Sequence, residues 1–159
     1  MEMADLLELV AKAETAAINT PFRVVIELAG PPRGKGRGRA VSTPSGARVF
    51  TDDKTRTYES QLRFAGQQEM RNTLPTALPV KVTVEARFQI AASWSRKKRA
   101  AALGGQIRPT STPDADNLLK ILDALNGIVW VDDRQIVEAT VRKIYSEHPG
   151  LTIAVEAIA

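Results

Sequence analysis

Apolar and polar residues alternate without a break from Val80 to Ile90. Val80, Val82, Val84, Ala86, Phe88 and Ile90 lie on one side, and Lys81, Thr83, Glu85, Arg87 and Gln89 on the other. A period of two predicts a strand with one buried and one wet face. Phe22, Val24, Ile26 and Leu28 repeat the pattern and stop at Ala29-Gly30-Pro31-Pro32. Val137, Ala139, Val141 and Tyr145, then Leu151, Ile153, Val155 and Ala157, give two more strands. The His148-Pro149-Gly150 turn between them predicts a hairpin. Thr43-Pro44-Ser45-Gly46, between Val41 and Val49-Phe50, reads as another hairpin turn.

Helical spacing takes over elsewhere. Residues 1 to 19 are rich in Ala, Leu and Glu, with Leu6, Val10 and Ala13 in register for a peripheral helix against the domain or a partner subunit. Thr51-Asp52-Asp53 can cap a helix to about Asn72, with Tyr58, Leu62, Ala65 and Met70 facing the sheet. A shorter helix is expected over Ser93 to Gly105, with Ser93 in place to cap it. These elements predict a single α/β (α+β) domain over residues 21–159, with a mixed sheet of about four to five strands and two to four helices, preceded by an accessory helix at residues 1–20.

A chain of 159 residues can bury a core in one domain. Its 43% hydrophobic and 25% charged content is ordinary for a globular protein, while 5% aromatics argue against a base-stacking single-strand binder. With no cysteine, disulfide frameworks and thiolate metal sites are excluded. No apolar run approaches the roughly 20 residues needed to span a membrane, and the acidic N-terminus lacks a secretory pattern, so a soluble cytoplasmic protein is expected.

The net charge is only +4, from 22 Lys and Arg against 18 Asp and Glu, but the acids are unevenly placed. Five aspartates, Asp114, Asp116, Asp123, Asp132 and Asp133, fall within Pro113–Ile136, among Leu, Ile, Val and Trp. Asp114 or Asp116 can cap a helix whose apolar face is Leu118, Ile121, Leu122 and Leu125, with Asn126-Gly127 as its stop. Asp116, Lys120 and Asp123 share the other face. Ile128 to Val131 then reads as a buried strand or extended segment that delivers Asp132-Asp133. Carboxylates that converge cannot all stay ionised without a counter-charge. Hard oxygen donors point to Mg²⁺ or Mn²⁺ rather than zinc. Considered singly, Asp114 and Asp116 read as helix caps and Asp132-Asp133 as a turn; the combination of two acidic ends, a lysine one turn into the helix and a basic background favours the metal reading.

The basic residues form two candidate phosphate-binding stretches. Arg33, Lys35, Arg37 and Arg39 alternate with Gly34, Gly36 and Gly38, so a flexible backbone can bring four cations close to phosphates. Arg96, Lys97 and Lys98, with Arg99, surround the short helix, and some of them must face outward.

The run Pro113-Asp114-Ala115-Asp116-Asn117-Leu118-Leu119-Lys120, then Asp123-Ala124-Leu125, then Trp130-Val131-Asp132-Asp133-Arg134-Gln135-Ile136, resembles the core of the RusA family of Holliday-junction resolvases. Pro32 to Arg39 is similar to the basic stretch after the family's first strand, and the Trp-Ser-Arg/Lys stretch at Trp94 is similar to one in its phage members. The resemblance implies a homodimeric, Mg²⁺-dependent endonuclease, with Mn²⁺ a possible substitute, that nicks branched DNA in recombination and repair. It implies Asp114, Asp116 and Asp133 as metal carboxylates and Lys120 as the catalytic lysine; the residues leave open whether Asp132 or Asp133 faces the metal. Two other readings stand beside it: a non-catalytic branched-DNA-binding module, and a Mg²⁺-dependent nucleotide phosphohydrolase.

Overall fold

A computed structural model of the chain describes residues 3–5, 7–9, 11 and 21–158. Residues 3–5, 7–9 and 11 are helical. The expected seam of Leu6, Val10 and Ala13 lies outside the described residues.

Four strands make a mixed sheet: β1 (Arg23–Ala29), β4 (Val80–Gln89), β5 (Ile136–Ser146) and β6 (Gly150–Ala157), in the order β1-β6-β4-β5. Two more, β2 (Arg39–Thr43) and β3 (Gly46–Phe50), form a separate antiparallel ribbon through the predicted turn. Three α-helices are described beyond the N-terminal residues: α1 (Asp53–Met70), α2 (Arg96–Leu103) and α3 (Ala115–Lys120). The expected fold class is therefore observed.

One strand connection differs from expectation. β5 and β6 do not form a hairpin, because β4 lies between them, parallel to β5 and antiparallel to β6. The turn after Ser146 crosses the end of β4 instead of folding back. Gly150 fits that crossing because a β-carbon there would lie 2.6 Å from the Arg87 guanidinium and 3.0 Å from the Leu28 carbonyl. An amphipathic pattern records which face of a strand is buried, and it carries no information about which neighbour the strand pairs with.

The two faces of the sheet have opposite characters. On one, Val24, Ile26, Val82, Val84, Leu151, Ile153 and Val155 pack against Tyr58, Leu62 and Met70 of α1 and against Leu118, Ile121, Leu122, Leu125 and Trp130. Thr55, Tyr58, Leu62, Gly66 and Met70 recur every three or four residues, which puts them on one stripe of α1. Gly66 allows close packing there, since a β-carbon would come within 2.8 Å of Leu125. The other face is wet and charge-paired. Arg23 meets Glu156 at 3.5 Å, Lys81 meets Glu138 at 3.4 Å, and Glu85 is flanked by Arg87 at 3.7 Å and Arg142 at 3.8 Å. No described helix is long and apolar enough to cross a membrane.

Two local expectations are corrected. Ser95 rather than Ser93 caps α2, accepting from the Lys98 amide at 3.3 Å. Ile128 to Val131 is not a strand of the sheet: Ile128, Val129 and Trp130 are buried in a tight loop, while Val131 is exposed. The loop closes because Gly127 takes a positive φ of 74° and its amide donates to the Trp130 carbonyl at 2.7 Å, while the indole N–H donates to Asn126 Oδ1 at 2.6 Å. Short-range bonds of this kind satisfy the buried polar groups without a ladder.

Candidate active site

The acidic segment starts as an α-helix and ends as a tighter one. Asp114 caps α3 by accepting from the Asn117 amide at 2.9 Å, and after Lys120 the chain continues as a 3₁₀ turn over Ile121–Leu125. Ile121, Leu122, Ala124 and Leu125 are buried, which leaves Asp123 as the turn's only polar side chain, half-exposed at its rim. The hydrophobic spacing that anchors this segment therefore also sets where its carboxylates emerge.

Each predicted residue has a definite place. Asp116, in the first turn of α3, accepts from Lys120 Nζ at 2.5 Å, one helical turn on, and both side chains are exposed. Asp132 caps the 3₁₀ turn Asp133–Gln135: its carboxylate accepts from the Arg134 amide at 3.0 Å, and its own amide donates to Gln135 Oε1 at 2.9 Å. The Arg134 amide is the main reason the Asp132 carboxyl is held below its ordinary pKa. Gln135 ties this turn to the core by donating to the carbonyls of Thr76 and Leu78, both at 2.9 Å.

Asp133 faces Asp123. A hydrogen bond between the two carboxyls, followed by desolvation and by the charges of Asp123 and Asp132, pushes the Asp133 pKa above its ordinary value. Asp132 and Asp133 are thus neighbours with opposite assignments. One carboxylate stabilises its own turn, and the other is held against a like charge.

Lys35 joins the glycine-rich loop to this pair. Its ammonium donates to Asp123 at 2.9 Å and lies 3.6 Å from Glu59 of α1, while its backbone amide donates to the Asn117 carbonyl at 3.0 Å. The bond to Asp123 raises the Lys35 pKa despite partial burial. Gly34 presses on α3 so closely that a β-carbon would come within 2.6 Å of Asn117 Cβ. Sequence reasoning grouped Lys35 with outward-facing cations, whereas here it turns inward to two carboxylates.

A depression of about 360 Å³ lies between the basic loop and the start of α3, lined by Pro31, Pro32, Arg33, Gly34, Lys35, Gly36, Thr112, Pro113 and Asn117. Arg33 is exposed on its loop side, and Arg37 and Arg39, further along the loop, are exposed at a second depression lined also by Val41, Phe50, Thr51 and Asp52. On α2, Arg96 and Lys97 are exposed, Lys98 sits 4.0 Å over the Trp94 ring, and Arg99 lies 3.9 Å from Glu147.

The donor chemistry suits a hard divalent cation: every candidate is a carboxylate oxygen, and the Asp123–Asp133 repulsion is what such an ion relieves. The geometry is not closed around one position, because among the described residues no three His, Cys, Asp or Glu side chains are gathered as a metal site. Asp114, Asp116 and Asp133 stand instead as a cap, a lysine partner and an aspartate partner.

Two participants were missed as site residues. Asp123 had a signal, since its spacing from Asp116 and Lys120 puts all three on the helix face opposite the apolar one. Glu59 had none, because it reaches Lys35 only through the packing of α1.

A family model described as Endodeoxyribonuclease RusA matches residues 29–156, from the end of β1 through β6. The chain is also similar to uncharacterized protein YqaN of Bacillus subtilis strain 168, 30% identical over 132 residues that cover 81% of this chain and 92% of that protein.

Proposed function

The chain belongs to the RusA family of endodeoxyribonucleases, and from that premise we propose that it is a divalent-metal-dependent resolvase of Holliday junctions, acting as a homodimer. The observation that supports the proposal is the docking of the basic loop on the acidic segment: the Pro31–Gly36 loop shares one depression with Pro113 and Asn117, and Lys35 of that loop donates to the Asn117 carbonyl and the Asp123 carboxylate, so phosphate-binding cations lie next to the acidic side chains. Paired nicking across a four-way junction needs two such sites, which is the reason for two copies.

Asp114, Asp116 and Asp133 would hold Mg²⁺ or Mn²⁺, with Asp123 beside Asp133. When bound, the ion supplies Lewis-acid polarisation of the scissile phosphate and a nucleophilic water at neutral pH. The chain's own residues do the rest. Lys120 holds the Asp116 carboxylate in place and carries positive charge to the point where negative charge develops on the phosphate. Lys35 fixes Asp123 and Glu59 and pins the loop to α3. Arg33, Arg37 and Arg39 grip the DNA backbone, and Arg96, Lys97 and Lys98 extend the cationic path.

The test compares nicking of a synthetic four-way junction, a flap, a linear duplex and free nucleotides, with and without Mg²⁺. Symmetrical junction nicks that vanish with chelator are expected. Asp116→Asn is expected to keep junction binding and lose cutting. Hydrolysis of nucleotides alone would replace the proposal with a phosphohydrolase, and tight junction binding without cutting in any metal would leave a binding module.

A further inference from the structure

Among the described residues the β2–β3 ribbon joins no other strand, and every ribbon residue except Thr43 is exposed. Cross-strand pairing of Arg39 with Phe50 and of Val41 with Arg48 puts two cations and two apolar side chains on one face. Ala40, Ser42, Ala47 and Val49 take the other. Gly38 lies so close to Val49 that a β-carbon would collide with it, which seats the basic loop against the ribbon. A depression of about 530 Å³ opens at the ribbon base, lined by Arg37, Arg39, Val41, Phe50, Thr51 and Asp52.

Phe50 is 50% exposed in that depression, a state that costs hydrophobic free energy unless something covers the ring. Arg37, Arg39 and Arg48 make no ion pair with any described residue. The one carboxylate present, Asp52, is engaged by Thr55, whose amide donates at 2.9 Å and whose hydroxyl donates at 2.6 Å. An aromatic face flanked by unpaired arginines complements a group that is flat and apolar on one side and anionic on the other. An unstacked nucleobase with its phosphate has that chemistry.

We propose that Phe50, with Arg37 and Arg39, forms a site for one unstacked nucleotide at the branch point of the DNA. The proposal rests on the branched-DNA reading above and adds a residue that recognises the branch itself. A single aromatic does not make a platform for a whole strand, in keeping with the scarcity of aromatics. It suits one base, freed where helical stacking is interrupted, and inserting an apolar side chain at such a step is an established way of holding bent or open DNA.

The experiment uses the full chain, a four-way junction carrying 2-aminopurine beside the branch, the same junction unlabelled, a linear duplex, and a single strand with one 2-aminopurine. Binding to the labelled junction is expected to change the fluorescence. Phe50→Ala should abolish that change and weaken junction binding about tenfold, the order of one lost base–aromatic stack, with duplex binding unchanged. Phe50→Trp should restore both. Equal loss on junction and duplex, an unchanged junction affinity, or a shift of Phe50→Ala from dimer to monomer in sedimentation would each overturn the site, the last by assigning this face to a second copy of the chain. If the wild-type chain fails to prefer junctions, the resolvase reading falls; a Phe50-dependent signal on the single strand would still support the base site, and no such signal would remove it.

Discussion

The open face of the sheet and the groove beside α3 are both rich in charge, and they handle it in opposite ways. On the sheet, Arg23, Lys81, Arg87 and Arg142 are all within reach of Glu156, Glu138 or Glu85, so each of these cations has an acidic partner. At the groove, like charges are neighbours, Asp133 being held against Asp123, and on the adjoining loop and ribbon Arg37, Arg39 and Arg48 have no ion-pair partner among the described residues. Neutralised charge keeps a surface soluble and attracts nothing in particular, whereas unneutralised charge costs stability and leaves the site able to bind a counter-charge.

The largest effect expected from this contrast is at Asp133. Replacing it with Asn is predicted to cut junction nicking by more than the roughly 10–100-fold that loss of an outer-shell partner costs, without lowering the melting temperature. The pH dependence has a definite sign. Because the Asp133 pKa is raised in the folded state, folding is favoured below the ordinary value near 3.8, and that advantage disappears as pH rises through the raised value. Above this window Asp133→Asn should therefore melt at least as high as the wild type, and below it any advantage should be gone. A melting series across acid pH without metal checks this; a variant less stable at neutral pH would show that the carboxylate serves the fold.

Lys35 is the next sharpening. Lys35→Ala removes the cation between Asp123 and Glu59 and the tie from the loop to α1. With the ammonium a third exposed, the expected loss of stability is about 0.2–1 kcal/mol, read by chemical denaturation. Nicking should fall further than stability does, because the Asp123–Asp133 repulsion is then left without its nearest counter-charge.

How much of this was legible in the chain depends on the range of the interaction. The strand of Val80 to Gln89, the cap at Asp52 and the turn at Pro44-Ser45 were readable because their causes lie within a few residues. The aspartate run was readable for the same reason, as were the types and order of residues that match the RusA model. The β5–β6 pairing was misjudged because strand order is decided by which hydrophobic faces can share one layer of helices. Lys35 was read as outward-facing because its partners, Asp123 and Glu59, lie 88 and 24 positions away in sequence. Even the division of labour between Asp132 and Asp133 depends on Gln135 reaching the distant carbonyls of Thr76 and Leu78.

A matched pair of arginines tests the comparison through DNA binding. Arg37→Ala, at the ribbon base next to the groove, is expected to weaken junction binding and reduce the slope of log affinity against log salt by about 1, the signature of one lost phosphate contact. Arg142→Ala, on the sheet, should leave affinity and slope unchanged and alter stability by no more than about 1 kcal/mol. Equal slopes for the two variants would erase the distinction between the faces.

The smallest effect concerns Asp52, which lines the ribbon-base depression but is paired in the manner of the sheet. The Thr55 hydroxyl and then the Thr55 amide hold its carboxyl below the ordinary value of 3.8. A depressed carboxylate contributes stability above its unfolded pKa and loses it as pH falls through the folded one. Asp52→Ala should thus lower the melting temperature modestly at neutral pH, with the deficit shrinking as pH falls below the ordinary value of 3.8 and through the lowered folded one. Asp52→Asn, which caps nearly as well, should recover most of the deficit and remove its dependence on pH. If DNA binding improved in Asp52→Asn while melting stayed constant, the carboxylate would be opposing the arginines across the depression rather than only capping α1, and the border between neutral and charged regions would have to be drawn on the other side of it.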